Sequence, residues 1–411
     1  MTKKINNFFL NLFLLSIFFF KIPNFYILPF FKNSFLTSQA ISRIILVVLF
    51  LKIYFFNPKI LNRLKQKVIF WLIFFFFIIQ SISIIPVINI TNFWIRYKDL
   101  IIGFISFFVF YFYKKEYRKI INVFLFSVFI NAIYQILLIY SDNIRELLST
   151  IIYQKHFDLV LAKLENQGRL YIDSYDEILI PFLFLENNLS WLIKLFLLIL
   201  IFFFSYMSNI RSRILMLFVS FFLSLFFIKK ISFGKIFITV FIFLTLGFLT
   251  SRFSFYFLKE SFIDRIFFAE ESKDIKPINF RKNQIFKSLE VGRISFFGAG
   301  LGNYYDNLTN QEKFNNSLLS RFNTLNLGAQ EYVHNIFGLI ISESGYISLF
   351  IFLLILFYFI KNDFKILLER KDDYRKVIVI SFWSLFSYGL FNPIVPASYQ
   401  FLFWGLRGFL L

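Results

Sequence analysis

Two histidines, 44 lysines and arginines and no cysteine narrow the chemistry open to this 411-residue chain. Without a thiol there is neither a disulfide framework nor a thiolate metal site. Of the histidines, His156 and His334, the second stands where a long polar interval meets an apolar run. An imidazole there admits two accounts. It is an interfacial side chain with a satisfied hydrogen bond, or a general base whose affinity near neutral pH suits taking a proton from a sugar hydroxyl. At about 100° per residue, a helix beginning there puts Gly338 and Gly345 within about 40° of His334, leaving that face open to a ligand or a close helix. Glu343 points to the opposite side. A carboxylate within an apolar run needs its own partner, so a structural ion pair is the expected assignment.

Further features could hold an anionic substrate. Ser208-Asn209-Ile210-Arg211-Ser212-Arg213 joins two apolar runs. Arg211 and Arg213 are either snorkelling side chains in a short turn or a fork whose planar, permanent charge suits diphosphate oxygens. Arg281 precedes Gly298-Ala299-Gly300-Leu301-Gly302, which is not the G-x-G-x-x-G dinucleotide fingerprint. A plain tight turn is the simpler reading of these glycines; the functional one has backbone N–H groups around Gly300 and Gly302 near an anion. Arg169, after Gly168, is another candidate, with surface charge as the simpler account. Asp173, Asp176 and Glu177 read as solvated acidity sooner than as a weak divalent site. No metal-ligand spacing, Ser-His-Asp order or G-x-S-x-G elbow stands out, so neither a metal nor another cofactor is expected.

These residues need a scaffold, and composition names its class. Hydrophobic residues make up 58% of the chain and the mean hydropathy is +0.69, more apolar surface than a soluble domain of this size could cover. The apolar runs are continuous rather than alternating, which predicts an all-α, polytopic transmembrane bundle and argues against a barrel. The runs fall at about 8–31, 36–56, 68–88, 99–113, 120–140, 178–188, 190–207, 213–228, 236–252, 335–360, 377–395 and 398–411. The sixth and last are short, so 10–12 spans are expected. Lys3 and Lys4 ahead of the first run resemble a signal peptide, but no small-residue cleavage site follows, so the run reads as a span.

Basic residues set the orientation. Intervals after even-numbered runs, with Lys3 and Lys4, hold 19 lysines and arginines; the four opposite intervals before the long loop hold nine. By the positive-inside rule both termini are cytoplasmic. The net charge of +20 is then largely a topology signal, and nucleic acid is not an expected partner. The chain divides into N-terminal helices (1–252, with an extracytoplasmic interval at about 141–177), a large extracytoplasmic loop (253–334) and C-terminal helices (335–411). Ten basic and nine acidic residues over 253–333 leave that loop near neutral, so any anion site there depends on particular arginines. An amphipathic helix is expected from Ile144 to Leu164. No internal repeat is visible, which weakens a transporter built from duplicated halves.

The order of these motifs resembles the bacterial O-antigen ligase and O-antigen polymerase superfamily. The matching residues are Arg281, then Phe297-Gly298-Ala299-Gly300-Leu301-Gly302-Asn303-Tyr304, then His334-Asn335 and Glu343-Ser344-Gly345, with Ser212-Arg213 as a Ser-Arg turn before a span. The likeness is concentrated in about 205–350. It implies a multi-pass, metal-independent inverting glycosyltransferase of the bacterial cytoplasmic (inner) membrane. The donor would be an undecaprenyl-diphosphate-linked glycan, and the acceptor a lipid A-core or glycan hydroxyl. The resemblance places His334, Arg213 and Arg281 in catalysis, with Arg211 as the alternate for Arg213; the substrate-binding candidates are Arg211, Arg169, Gly300, Gly302 and Asn335. The alternative from another class is a transporter or flippase for lipid-linked oligosaccharide. A non-catalytic scaffold is a third.

Overall fold

The computed structural model describes residues 2–27, 37–87, 89–140, 142–154, 157–158, 160–161, 175–185, 189–208, 210–228, 284–293, 295–304, 333–369, 373–392 and 396–411. In chain order these form α1 (Thr2–Lys21), α2 (Ser38–Phe56), α3 (Pro58–Lys65), α4 (Val68–Ile82), α5 (Ile90–Tyr113), α6 (Tyr117–Tyr140) and α7 (Asp142–Ile151). There follow α8 (Ile180–Leu185), α9 (Trp191–Met207), α10 (Arg211–Phe227), α11 (284–293), α12 (Ile336–Leu368), α13 (Asp373–Gly389) and α14 (Ala397–Leu410). Among the described residues the regular elements are helices, and strand pairing is limited to isolated bridges, Phe25 with Ile152 and Tyr26 with Thr37.

Among the described residues, three helical segments are long and apolar enough to cross a membrane: Ser38–Phe56, Ile90–Leu138 and Ile336–Leu368. The second has 49 residues, well beyond one crossing, and a 3-10 turn at Lys114–Glu116 divides it into α5 and α6. Polar caps mark the starts. Thr37 accepts from the Ala40 N–H, and Asn89 accepts from the N–H groups of Thr91 and Asn92. Pro58 lies at the first turn of α3, immediately after α2 stops.

The core is aromatic. Phe20 stacks on Phe401 at 4.6 Å, Phe13 meets Phe110 edge-on at 5.1 Å, and Trp404 lies 5.3 Å from Phe77. Helices α5 and α14 run side by side in the same direction because glycine lets them. A Cβ on Gly408 would fall 2.2 Å from the Phe107 carbonyl oxygen. Large apolar side chains also face outward, among them Phe55, Phe196, Phe350 and Phe357, as a lipid-facing surface requires.

The ends of the bundle differ. Lys67, Lys114, Tyr117, Tyr374 and Leu411 gather at one end. At the other lie the contacts of Asn89 with Asn303, Asn335 with Leu390 and Lys21 with Asp176.

Several sequence-derived boundaries shift, each for a physical reason. The fourth run, expected from 99, begins at Ile90 as a helix of 24 residues, because Arg96 and Asp99 find partners inside the bundle and do not end it. The sixth run, 178–188, is not a span. Residues Asp176–Leu179 form a 3-10 turn and Ile180–Leu185 one short helix, all of it buried apart from the last turn. The amphipathic helix expected from Ile144 to Leu164 is interrupted at Ile152, which pairs with Phe25; α7 stops at Ile151, and Gln154, Phe157, Asp158, Val160 and Leu161 are helical again. The ninth run, 236–252, lies outside the described residues, as do Arg169, Asp173 and Arg281.

Candidate functional site

Helix α12 is broken at Gly345, whose φ of 79° and ψ of −176° are non-helical. A break there frees carbonyls that would otherwise accept from the next turn. The glycine turn takes them up: the Ala299 N–H donates to Ser342 O at 2.7 Å, and the Gly300 N–H to Glu343 O at 3.0 Å. The Gly302 N–H reaches the Glu343 side chain, 3.0 Å from Oε1. Gly298, Gly300 and Gly302 all have positive φ. The tight turn is therefore the outcome. The N–H groups of Gly300 and Gly302 have protein acceptors, and their role as substrate-binding donors gives way to docking the loop onto α12.

Glu343 is buried and pairs with Arg96, whose Nε lies 3.2 Å from Oε2. This is the structural ion pair that its apolar surroundings demanded. The face expected to stay open beside His334 is filled. Val333 and Ser288 pack against Gly338, and the Phe296 carbonyl oxygen lies 2.0 Å from where a Gly345 Cβ would stand. Gly345→Ala combines that backbone clash with a disfavoured φ and is expected to cost at least about 2 kcal/mol. Thermal unfolding in detergent checks it; an unchanged melting temperature would refute the break.

His334 does not lie in the helix. It precedes Asn335, the α12 N-cap, and is half-buried. The Asn335 side chain accepts from the N–H groups of Phe337 and Gly338 at 2.9 and 3.0 Å, and its Nδ2 donates to Leu390 O at 2.9 Å. Asn335 thus caps and anchors the helix, and the substrate-binding role expected of it gives way to that. The His334 N–H donates to Gln284 Oε1 at 3.2 Å. Gln284 lies in α11, and its own carbonyl accepts from the Tyr304 hydroxyl at 3.4 Å. Burial raises the Tyr304 phenol well above its ordinary pKa, keeping it a donor. Gln284 escaped the sequence reading because an amide in a polar loop carries no signal until the fold shows its partner.

Arg213 is buried and engaged. Its Nε donates to Glu177 Oε1 at 2.7 Å, which also accepts from the Ser205 hydroxyl at 2.6 Å. The neighbouring Asp176 pairs with Lys21 at 2.9 Å and accepts from Asn131 Nδ2 at 3.2 Å. The acidic pair expected in solvent is buried instead, and Tyr175 just before it has a left-handed φ of 50°. Among the described residues no group of three or more His, Cys, Asp or Glu could hold a metal. Arg211 is the first residue of α10.

One turn joins the two halves of the site. Leu390 takes the hydrogen bond from Asn335, next to His334, and Asn392 donates to the hydroxyl of Ser212, next to Arg213. The histidine and arginine segments, far apart in sequence, thus meet at the same end of the bundle. No protein-family profile, curated protein or solved structure matches the chain.

Proposed function

We propose that this chain is an integral-membrane glycosyltransferase of the O-antigen ligase/polymerase type, with the basic end of its bundle in the cytoplasm and both termini there. It transfers glycan from an undecaprenyl-diphosphate-linked donor to a lipid A-core or glycan hydroxyl on the extracytoplasmic face. His334 takes the hydroxyl proton, and arginines, Arg213 and Arg281 first, stabilise the leaving diphosphate. A polyprenyl diphosphate is already a good leaving group, so charge stabilisation and one base are the main demands on the protein.

The observation that supports this reading is the 390–392 turn, which hydrogen-bonds both to Asn335, next to His334, and to Ser212, next to Arg213. Arg213 enters with Glu177 already on its Nε, so a diphosphate must share the guanidinium with its protein partners or displace them. The transporter reading draws on a different observation, the broken helix α12 and the half-length α8, since interrupted helices often line transport sites. In α12, however, two freed carbonyls already accept from the glycine turn.

Purified chain in detergent micelles, given lipid-linked donor and a defined acceptor, separates the two. A micelle has no second compartment, so a transporter yields no product there. The expected result is a new glycosidic product by mass spectrometry. Absence of product with every acceptor class, in protein that remains folded, would overturn the enzyme.

A further inference from the structure

Helix α12 changes direction at Gly345. A straight helix would separate Phe337 from Phe352 by about 22 Å along its axis, yet their rings lie 6.3 Å apart. The part before the break, 336–344, therefore runs across the end of the bundle instead of through it. It reaches from Leu390, just past α13, to α4, where the Gln80 amide donates to the Ser344 hydroxyl at 2.7 Å. Helix α11 lies alongside it in the same direction. A Cβ on Gly338 would meet Ser288, and one on Gly292 would fall 2.6 Å from the Ile341 side chain. Two neighbouring helices thus lie across the end that holds the candidate site, the posture of helices at a membrane surface.

Helix α11 has three sides. Gln284, Ser288, Val291 and Gly292 are buried against the protein. At about 100° per residue, Ile285 and Leu289 share one flank, and Lys287 and Glu290 the opposite one. Phe286, 55% exposed, lies between the flanks on the outermost side. Tyr346 distinguishes the flanks. Its hydroxyl donates to Leu289 O at 3.1 Å and its ring packs at Gly292, so it sits on the apolar flank. The same tyrosine heads the outward stripe of α12, where Phe350, Leu353 and Phe357 follow at helical spacing. Phe296, just beyond α11, is 62% exposed, and its carbonyl lies against Gly345. One apolar surface therefore passes from the crossing part of α12 onto α11. Arg293, exposed near the end of α11, has the length to carry its charge back to water.

We propose that α11 is a membrane-interface helix: Ile285, Phe286 and Phe296 contact the acyl chains of the leaflet at this end, and the Lys287–Glu290 flank faces headgroups and water. Bilayer lipid is the occupant because the surface continues a stripe already turned to lipid. Since the His334 N–H donates to Gln284, the histidine backbone is tied to an element resting on the bilayer. The inference does not depend on glycan transfer.

The chain has no cysteine, so one introduced thiol can carry a nitroxide. The full chain is reconstituted in phosphatidylethanolamine/phosphatidylglycerol vesicles with a water-soluble nickel chelate on both faces. Labels at Ile285→Cys and Phe296→Cys are expected to collide more with oxygen, which concentrates in hydrocarbon, than with the chelate, as at Phe350→Cys. Glu290→Cys is expected to show the reverse preference. These positions are half-buried or exposed, so melting temperatures should match the parent, and Phe286→Cys replaces either lipid-side variant that does not. Chelate collisions as frequent at 285 and 296 as at 290 would put the flank in water. Protection from both reagents would mean that protein covers it. Either result overturns the proposal.

Discussion

Arg96→Ala is expected to destabilise the chain by about 3–5 kcal/mol, because it strands the buried Glu343 carboxylate without its cation. Replacing the carboxylate as well should recover most of that loss. In Arg96→Met/Glu343→Gln the charge is gone and the amide oxygen can still accept from the Gly302 N–H, which leaves only the neutral amide NH2 to find an acceptor. The double variant is expected within about 2 kcal/mol of the parent. Thermal or denaturant unfolding in detergent reads the difference. A single variant as stable as the parent would mean that the carboxylate is solvated. The same comparison probes the site indirectly, since this pair holds the glycine turn against the half of α12 that Asn335 caps.

The ion pair also shows where sequence reading reaches its limit. That Glu343 needs a partner follows from one carboxylate in an apolar run. That the partner is Arg96 does not follow, because 247 residues separate them. Read locally, Arg96 and Asp99 look like a loop, and the start of α5 was placed accordingly late. Asp176 and Glu177 failed in the same way: an acidic cluster in a polar interval looks solvated until Lys21 and Arg213 arrive from other helices. The all-helical class was legible because continuous apolar runs are a property of each segment by itself. The glycine turn was half legible. Its glycines announced positive φ, but their acceptors exist only because Gly345 interrupts α12, and one glycine in an apolar run gives no sign of a break. Gly338 and Gly345 suggested an open face for the converse reason: small side chains invite close packing as readily as a ligand.

His334→Ala is expected to slow glycan transfer by about 10²–10⁴-fold, the usual contribution of a positioned general base. Alanine retains the backbone N–H that donates to Gln284 Oε1, so the tie to α11 is kept. Asn335 likewise keeps its capping bonds in that variant. A large loss of rate at an unchanged melting temperature therefore distinguishes chemistry from architecture. Gln284→Ala provides the complementary arm. It keeps the imidazole but removes the acceptor that fixes the backbone at His334, and is expected to reduce transfer less than His334→Ala does. Arg213→Ala alone would be ambiguous, since it also strands Glu177 in the interior; Arg213→Ala/Glu177→Gln removes the cation without leaving a buried charge. Parental rates in His334→Ala would end the base assignment, and parental rates in Arg213→Ala/Glu177→Gln would take that guanidinium out of the transition state.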